Sequence, residues 1–372
     1  MDRIRVGVVF GGRSAEHEVS IQSAKSIHEA LDRSRFEPIL VGIDKGGAWR
    51  IGEAASFILN PSDPKRIGLD TRAPEVLPVE AADRTLALVG RESGATLGTV
   101  DVFFPIVHGT YGEDGCLQGL FRLLDVPYVG AGVLGSAVGM DKDVMKRLLQ
   151  QAGLPIPRFV TVRKHEVSGL DLPALSEAVG GLPVFVKPAN LGSSVGITKV
   201  KAAADLLAAL EEAFRYDSKA LVEEAVEGRE IECAVLGNEH PEASLCGEVV
   251  PSHEFYSYEA KYIDERGARL HYPADLDAGA SDRIRGLAVK TFRVLDCAGM
   301  GRVDFFLKRD GEVLVNEINT LPGFTSISMY PKLWEVSGLP YPRLLERLID
   351  LAMERHRSER ALRRGAFPDA EG

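Results

Sequence analysis

GRVDFFLKRDGEVLVNEIN, running from Gly301 to Asn319, is the stretch from which the fold can be worked outward. Asp310-Gly311 is a strong two-residue turn signal between runs rich in Val, Phe and Leu, so the segment reads as a β-hairpin. Counting back from that turn pairs Lys308 with Val313, Phe306 with Val315, Asp304 with Glu317, and Arg302 with Asn319. Strand residues two apart point the same way, so all these side chains share one face. Opposed positions hold their Cβ atoms roughly 5 Å apart, and like charges placed there destabilise a sheet unless something neutralises them. A divalent cation would do so, because two carboxylates and an amide oxygen form the hard-oxygen site that Mg²⁺ uses together with nucleotide phosphates. A surface strand with scattered acids is the bland alternative, since short motifs match by chance.

The chain has 372 residues, enough for two or three domains with a substantial core. With 45% hydrophobic and 26% charged residues, wholesale disorder is excluded. A formal net charge of -10 argues against a general affinity for nucleic acid, which relies on Lys and Arg neutralising phosphates. Cys116, Cys233, Cys246 and Cys297 are widely separated and show no zinc spacing, which suits reduced thiols in a cytoplasmic protein. The N-terminus runs almost straight into the strand-like IRVGVVF, and no uninterrupted apolar run is long enough to span a membrane, so a cytosolic location and no membrane partner are expected.

Short apolar runs alternate with helical patterns at the start: Ile4 to Phe10, a helix from about Glu16 to Leu31, then Glu37 to Ile43. This βαβ beginning favours a parallel sheet with ligands at the carboxyl ends of its strands. The loop after the first strand, Gly11-Gly12-Arg13-Ser14-Ala15-Glu16-His17, is not GxGxxG, so a dinucleotide fingerprint is missing. Gly46 to Thr99 reads as a hairpin-bearing excursion without an assigned function. VDVFFPIVHG returns to the sheet, and the Gly-rich run from Gly130 to Gly139 is taken as a link to a second domain. A helix from Asp141 to Ala152 follows, then a strand, Pro183 to Pro188, leading through ANLGSSVGITKV to another strand. A helical run, Ala202 to Phe214, precedes a strand at Ala220 to Glu224. The last helix starts near Tyr341, and the charged tail beyond Arg355 is expected to be solvated or frayed.

Gly192-Ser193-Ser194-Val195-Gly196 lets backbone N–H groups approach an anion closely, because glycine removes the Cβ obstruction. Lys187 on the incoming strand adds a positive charge over the same phosphates; a plain hairpin turn is the alternative. Leu221 to Val226 resembles a strand leaving its sheet, where backbone groups could bond an adenine edge and Glu230 could accept from ribose hydroxyls. An exposed acidic turn would look the same.

A set of motifs in order along the chain then carries a resemblance: Gly11-Gly12-x-Ser14-x-Glu16-His17-x-x-Ser20, His108-Gly109-x-x-Gly112-Glu113-Asp114-Gly115, Lys187-Pro188, the Gly192 to Gly196 loop, Glu259-Ala260-Lys261-Tyr262, and Asn316-Glu317-Ile318-Asn319-Thr320-x-Pro322-Gly323. The chain closely resembles the D-alanine:D-alanine ligases of the ATP-grasp superfamily. The resemblance implies an α/β multidomain ATP-grasp fold: an N-terminal Rossmann-like parallel-sheet domain over 1–132, a central subdomain over 133–224 and a C-terminal subdomain over 225–372. It also implies that Lys142 and Lys187 contact the phosphates of ATP, with Ser193 and Ser194 in the loop above them. Glu223, Glu224, Ala225, Val226, Glu230, Lys261 and Phe306 would complete the nucleotide site. Asp304, Glu317 and Asn319 would hold two Mg²⁺ or Mn²⁺ ions. Glu16 would bind the ammonium of a first D-alanine and form a hydrogen-bonded link with Ser193 and Tyr262, with His108 nearby. Arg302 and the backbone N–H of Gly323 would stabilise the oxyanion, while Ser328 and Met329 receive the carboxylate of the second D-alanine. A homodimer is expected from the family.

The implied reaction passes through an acyl phosphate, since a carboxylate is a poor electrophile. Acyl phosphates hydrolyse, which gives a reason for a lid; Pro251 to Tyr272, bearing Tyr256, Tyr258, Lys261 and Tyr262, is the candidate. A D-alanine:D-lactate ligase and a catalytically inactive nucleotide-binding protein of the same fold are the rivals. Tyr262 favours the dipeptide product over the first, and the intact Asp304, Glu317, Asn319, Lys187 and Arg302 argue against the second.

Overall fold

The computed structural model describes residues 3–61, 63, 66–81, 85–251, 268–325 and 327–362. Its first strand, β1 (Ile4–Gly11), is almost wholly buried along its second half, as a run of apolar residues inside a parallel sheet must be. The helix His17–Ala30 returns the chain to β2 (Phe36–Ile43), which pairs parallel with β1 from Ile4↔Phe36 to Gly11↔Ile43. β3 (Trp49–Gly52) adds antiparallel to β2. The excursion that follows forms two small sheets, β4 (Ile58–Leu59) with β5 (Gly68–Leu69), and a meander of β6 (Val76–Glu80), β7 (Leu86–Gly90) and β8 (Thr96–Val100). β9 (Val102–Pro105) then pairs parallel with the other side of β1, giving the order β3-β2-β1-β9. Glu16 and His108 therefore leave neighbouring parallel strands at the same, carboxyl, edge.

The Gly-rich run expected to link to a second domain contains a helix, Val133–Met140. A Cβ at Gly135 would stand 2.7 Å from the Asp296 carbonyl oxygen, and one at Gly139 2.8 Å from the Thr320 side chain, so these glycines serve close packing and not a flexible connection. Asp141 then caps the next helix, Lys142–Gln151, by accepting from the Val144 N–H. The central sheet contains β10 (Phe159–Arg163), β11 (Val184–Pro188), β12 (Thr198–Val200) and β13 (Lys219–Glu224), in the order β10-β13-β11-β12 with antiparallel pairing throughout. The helical run expected from Ala202 begins as a short 3-10 turn and becomes α-helical at Leu206–Ala213, burying Leu206, Ala209, Leu210 and Ala213 against that sheet.

The last sheet runs β16-β15-β14-β17-β18, with β14 (Arg229–Gly237), β15 (Glu242–Pro251), β16 (Ala268–His271), β17 (Gly299–Leu307) and β18 (Val313–Asn319). The helix Ala278–Val294 covers one face through Ile284, Ala288 and Phe292. The final helix, Tyr341–Arg360, extends past the point where fraying was expected, because Arg355 packs against Tyr128 and His356 and Arg360 reach Asp125. No helix among the described residues is long and apolar enough to cross a membrane.

Candidate active site

The hairpin of β17 and β18 reaches the expected juxtaposition by a different route. Its loop closes with the Lys308 N–H donating to the Glu312 carbonyl at 2.8 Å, and Gly311 has φ +86°, so three residues form the turn where two were expected. The pairing is thereby shifted by one: Leu307 faces Val313, Phe306 faces Leu314 and Phe305 faces Val315, not the expected Lys308–Val313 and Phe306–Val315. A β-bulge then inserts Asn316 as an extra residue and restores the register, so that Asp304 lies opposite Glu317 and Arg302 opposite Asn319. The two deviations cancel where the carboxylates stand. The bulge is tied down from outside the sheet: the Val315 N–H donates to Pro155 O at 2.8 Å and Lys146 Nζ to Asn316 O at 3.2 Å.

Side chains already offset much of the charge at this pair. Arg302 donates from Nε and Nη2 to the two oxygens of Asp304, each at 2.7 Å, and reaches Glu232 at 3.0 Å. Although burial works against its charge, the carboxylates of Asp304 and Glu232 hold Arg302 well above the usual guanidinium value. Asn319 Nδ2 donates to Asp304 at 3.1 Å, and Lys142 Nζ lies 3.5 Å from Glu317 while donating to Leu191 O at 2.6 Å. The expectation that a metal alone relieves the repulsion is thus revised. No group of three His, Cys, Asp or Glu suited to a metal occurs among the described residues. Two opposed carboxylates and an amide on one sheet face nevertheless suit a hard cation whose remaining ligands come from phosphate and water.

Glu223, expected beside adenine and ribose, is 1% exposed, accepts from Lys187 at 2.5 Å and forms an ion pair with Lys146 at 2.8 Å. Burial alone would raise its carboxyl, but the two ammonium groups hold it below the ordinary value. Lys146 escaped the sequence reading. The signal was its spacing, one helical turn beyond Lys142 on the same helix face. Glu224 is engaged by Arg158 at 2.6 Å, and the Ala225 N–H donates to Pro183 O at 3.3 Å. Val226, Glu230 and Phe306 line the cavity between the central and last sheets, with Glu230 directly opposite Phe306 across β14 and β17. Phe185, also absent from the sequence reading, lies with Lys187 and Lys199 each 5.8 Å from its ring centre, so an aromatic wall flanks the cationic end.

From the N-terminal unit Glu16 accepts a hydrogen bond from Ser193 Oγ, joining residues far apart in the chain. Ser193 and Ser194 hold φ of +53° and +61°, an uncommon conformation for side chains other than glycine. His108 is buried, with Nδ1 3.1 Å from Leu321 O and 3.4 Å from Glu113, and Nε2 3.2 Å from Ser23 Oγ. Burial opposes its protonation, but the hydrogen bond and charge of Glu113 raise it above the ordinary imidazole value. Gly323 lies beside Ser328, whose Oγ accepts from the Thr325 N–H at 3.0 Å and which precedes the helix Met329–Val336. Lys261 and Tyr262, and with them most of the candidate lid, lie outside the described residues.

One cavity of about 1320 Å³ gathers Glu16, His108, Lys142, Lys187, Ser193, Ser194, Asp304, Glu317, Asn319, Gly323, Ser328 and Met329 along its wall. Two antiparallel sheets closing on such a cavity, below a parallel-sheet unit that contributes Glu16, define the ATP-grasp fold. Residues 5–131 match the family model for the D-ala D-ala ligase N-terminus and residues 148–350 that for the D-ala D-ala ligase C-terminus, and the chain belongs to this ligase family. It is 57% identical over 98% of its length to D-alanine--D-alanine ligase A of Chromobacterium violaceum, covering 99% of that protein. The solved D-alanine-D-alanine ligase from Coxiella burnetii is 38% identical with a TM-score of 0.81, over 96% of this chain and 98% of the other. The VanG D-Ala:D-Ser ligase from Enterococcus faecalis is 36% identical with a TM-score of 0.81, over 94% and 100%.

Proposed function

We propose that the chain joins two D-alanines into D-alanyl-D-alanine, a peptidoglycan precursor, with ATP converted to ADP and phosphate. The observation that carries this reading is the convergence on one cavity of Glu16, the ammonium groups of Lys142 and Lys187, and the opposed Asp304 and Glu317. Glu16, fixed by Ser193, holds the ammonium of the first D-alanine near His108. The carboxylate of that D-alanine attacks the γ-phosphorus of ATP; the bond to ADP breaks and a D-alanyl phosphate forms. Lys142 and Lys187 balance charge on the phosphates beneath Ser193 and Ser194, with adenine and ribose between Phe306, Val226, Ala225, Glu224, Glu223 and Glu230. Asp304, Glu317 and Asn319 hold two Mg²⁺ or Mn²⁺ ions, which supply further neutralisation of phosphate charge when bound. The second D-alanine is placed by its carboxylate at Ser328 and Met329, where the first N–H groups of a helix favour an anion. Its amine attacks the acyl carbonyl, loses a proton, and inorganic phosphate leaves. Arg302 and the Gly323 N–H stabilise the oxyanion between those events.

The neighbouring D-Ala:D-Ser ligase makes the second substrate the point to test. Phosphate release is to be measured with D-alanine alone and with D-lactate or D-serine added, and the product weighed by mass spectrometry. D-alanyl-D-alanine should predominate near neutral pH; a depsipeptide or a mixed dipeptide as main product would replace this reading. Asp304→Ala should lower turnover at least about 10²-fold while circular dichroism stays native. Turnover like that of the unmodified chain would refute the assigned role of the hairpin. A cytoplasmic location and a homodimer complete the proposal, the latter checked by light scattering.

A further inference from the structure

Lys146 is only 1% exposed and does not line the cavity, yet its ammonium sits 2.8 Å from Glu223 and 3.2 Å from Asn316 O. Lys187, which does line the cavity, takes the other oxygen of Glu223 at 2.5 Å. One buried carboxylate thus faces two ammonium groups. For a purely structural ion pair this is wasteful, since a single lysine neutralises Glu223 and each further buried charge costs free energy. The excess makes sense if an anion arrives.

We propose that Lys146 is a positioning residue for the nucleotide: by occupying one oxygen of Glu223 it leaves a positive charge in excess at Lys187, directed to a phosphate. Without Lys146, Glu223 and Lys187 form a neutral pair, and Lys187 has to abandon its only counter-charge in that pair to reach the ligand. Lys146 itself touches no ligand. Its bond to Asn316 also fixes the bulge from which Glu317 projects, so the cationic and acidic parts of the site share one anchor.

The assignment rests on the nucleotide reading of the cavity, and the test separates the two. Binding of adenosine, ADP and ATP is measured by calorimetry on the full chain, on Lys146→Met and on Lys146→Gln, the latter retaining hydrogen-bonding capacity without charge. Both variants should lose roughly ten- to thirtyfold in ADP and ATP affinity, the size of one charge acting over about 8 Å at an effective dielectric near 20. Adenosine affinity should stay within about twofold. Equal losses for adenosine and ATP would show that Lys146 only supports the fold, and unchanged ATP affinity in a native-like variant would remove its role altogether. If the unmodified chain bound neither ADP nor ATP, the nucleotide reading would fail first.

Discussion

Buried His108 and partly buried Glu113 lie side by side next to Glu16. Burial raises the Glu113 carboxyl against the lowering hydrogen bond to His108, with the charge of Glu16 adding to the rise, while Glu113 raises His108 against its own burial. A histidine raised above its ordinary 6.5 contributes stability that is present in full below that pH and is lost as pH climbs through the raised value. Replacing Glu113 by Gln removes the main group that raises His108 and leaves the burial that lowers it. The NMR titration midpoint of the His108 ring in Glu113→Gln should therefore fall, and the stability it contributes should disappear at lower pH. An unmoved midpoint would show that Leu321 O and Glu16 alone set the protonation of His108. This residue pair also marks how far the sequence could be read. His108 was placed near the site by its motif, but the buried environment and the contact with Leu321, far along the chain, depend on packing that local sequence does not encode.

At the level of the element, the hairpin was legible in its outcome and not in its path. Asp310-Gly311 announced the turn correctly; it did not disclose that Arg309 belongs to the loop, because two- and three-residue loops both favour glycine at a positive φ. The bulge at Asn316 was equally hidden, being held by Pro155 and Lys146 from other elements. The charge partners of Glu223 were hidden for a similar reason: its apolar neighbours showed a strand, while Lys146 and Lys187 come from a helix and an adjacent strand. Gly311 permits a specific check. Nothing lies within 4 Å of a Cβ built there, so Gly311→Ala meets no clash, only the strain of φ +86°. It should cost about 1 kcal/mol in denaturant melts and leave turnover nearly unchanged. A loss of activity with unaltered stability would mean that the loop adjusts the register at Asp304.

Across the whole molecule, the last helix binds the first and last units together. Arg355, its side chain 12% exposed, stacks 4.5 Å from the Tyr128 ring centre and donates to Tyr128 O at 2.9 Å and to Gly130 O. Nearer the start of that helix, Arg35 pairs with Glu346 and with Asp350, the latter at 2.5 Å. At the start of the same helix the Tyr341 hydroxyl donates to Phe324 O at 2.8 Å, beside Gly323, so a helix that contributes no residue to the cavity wall ties the N-terminal unit to the loop that follows β18. The sequence showed the helix but gave its charged end no role, because a row of arginines on a helix reads as a solvated face until its neighbours are known. The two arginines should respond differently to replacement. Arg355→Met strands two partly buried carbonyls and removes the ring contact, a loss of about 2–3 kcal/mol that lowers the melting midpoint by roughly 3–4 °C. Arg35→Met breaks pairs that are partly exposed and screened, and should cost under about 1 kcal/mol. If calorimetric melts instead showed equal shifts for the two variants, the burial of Arg355 would contribute nothing beyond its charge, and the union of the N- and C-terminal units would have to be sought in their apolar contacts.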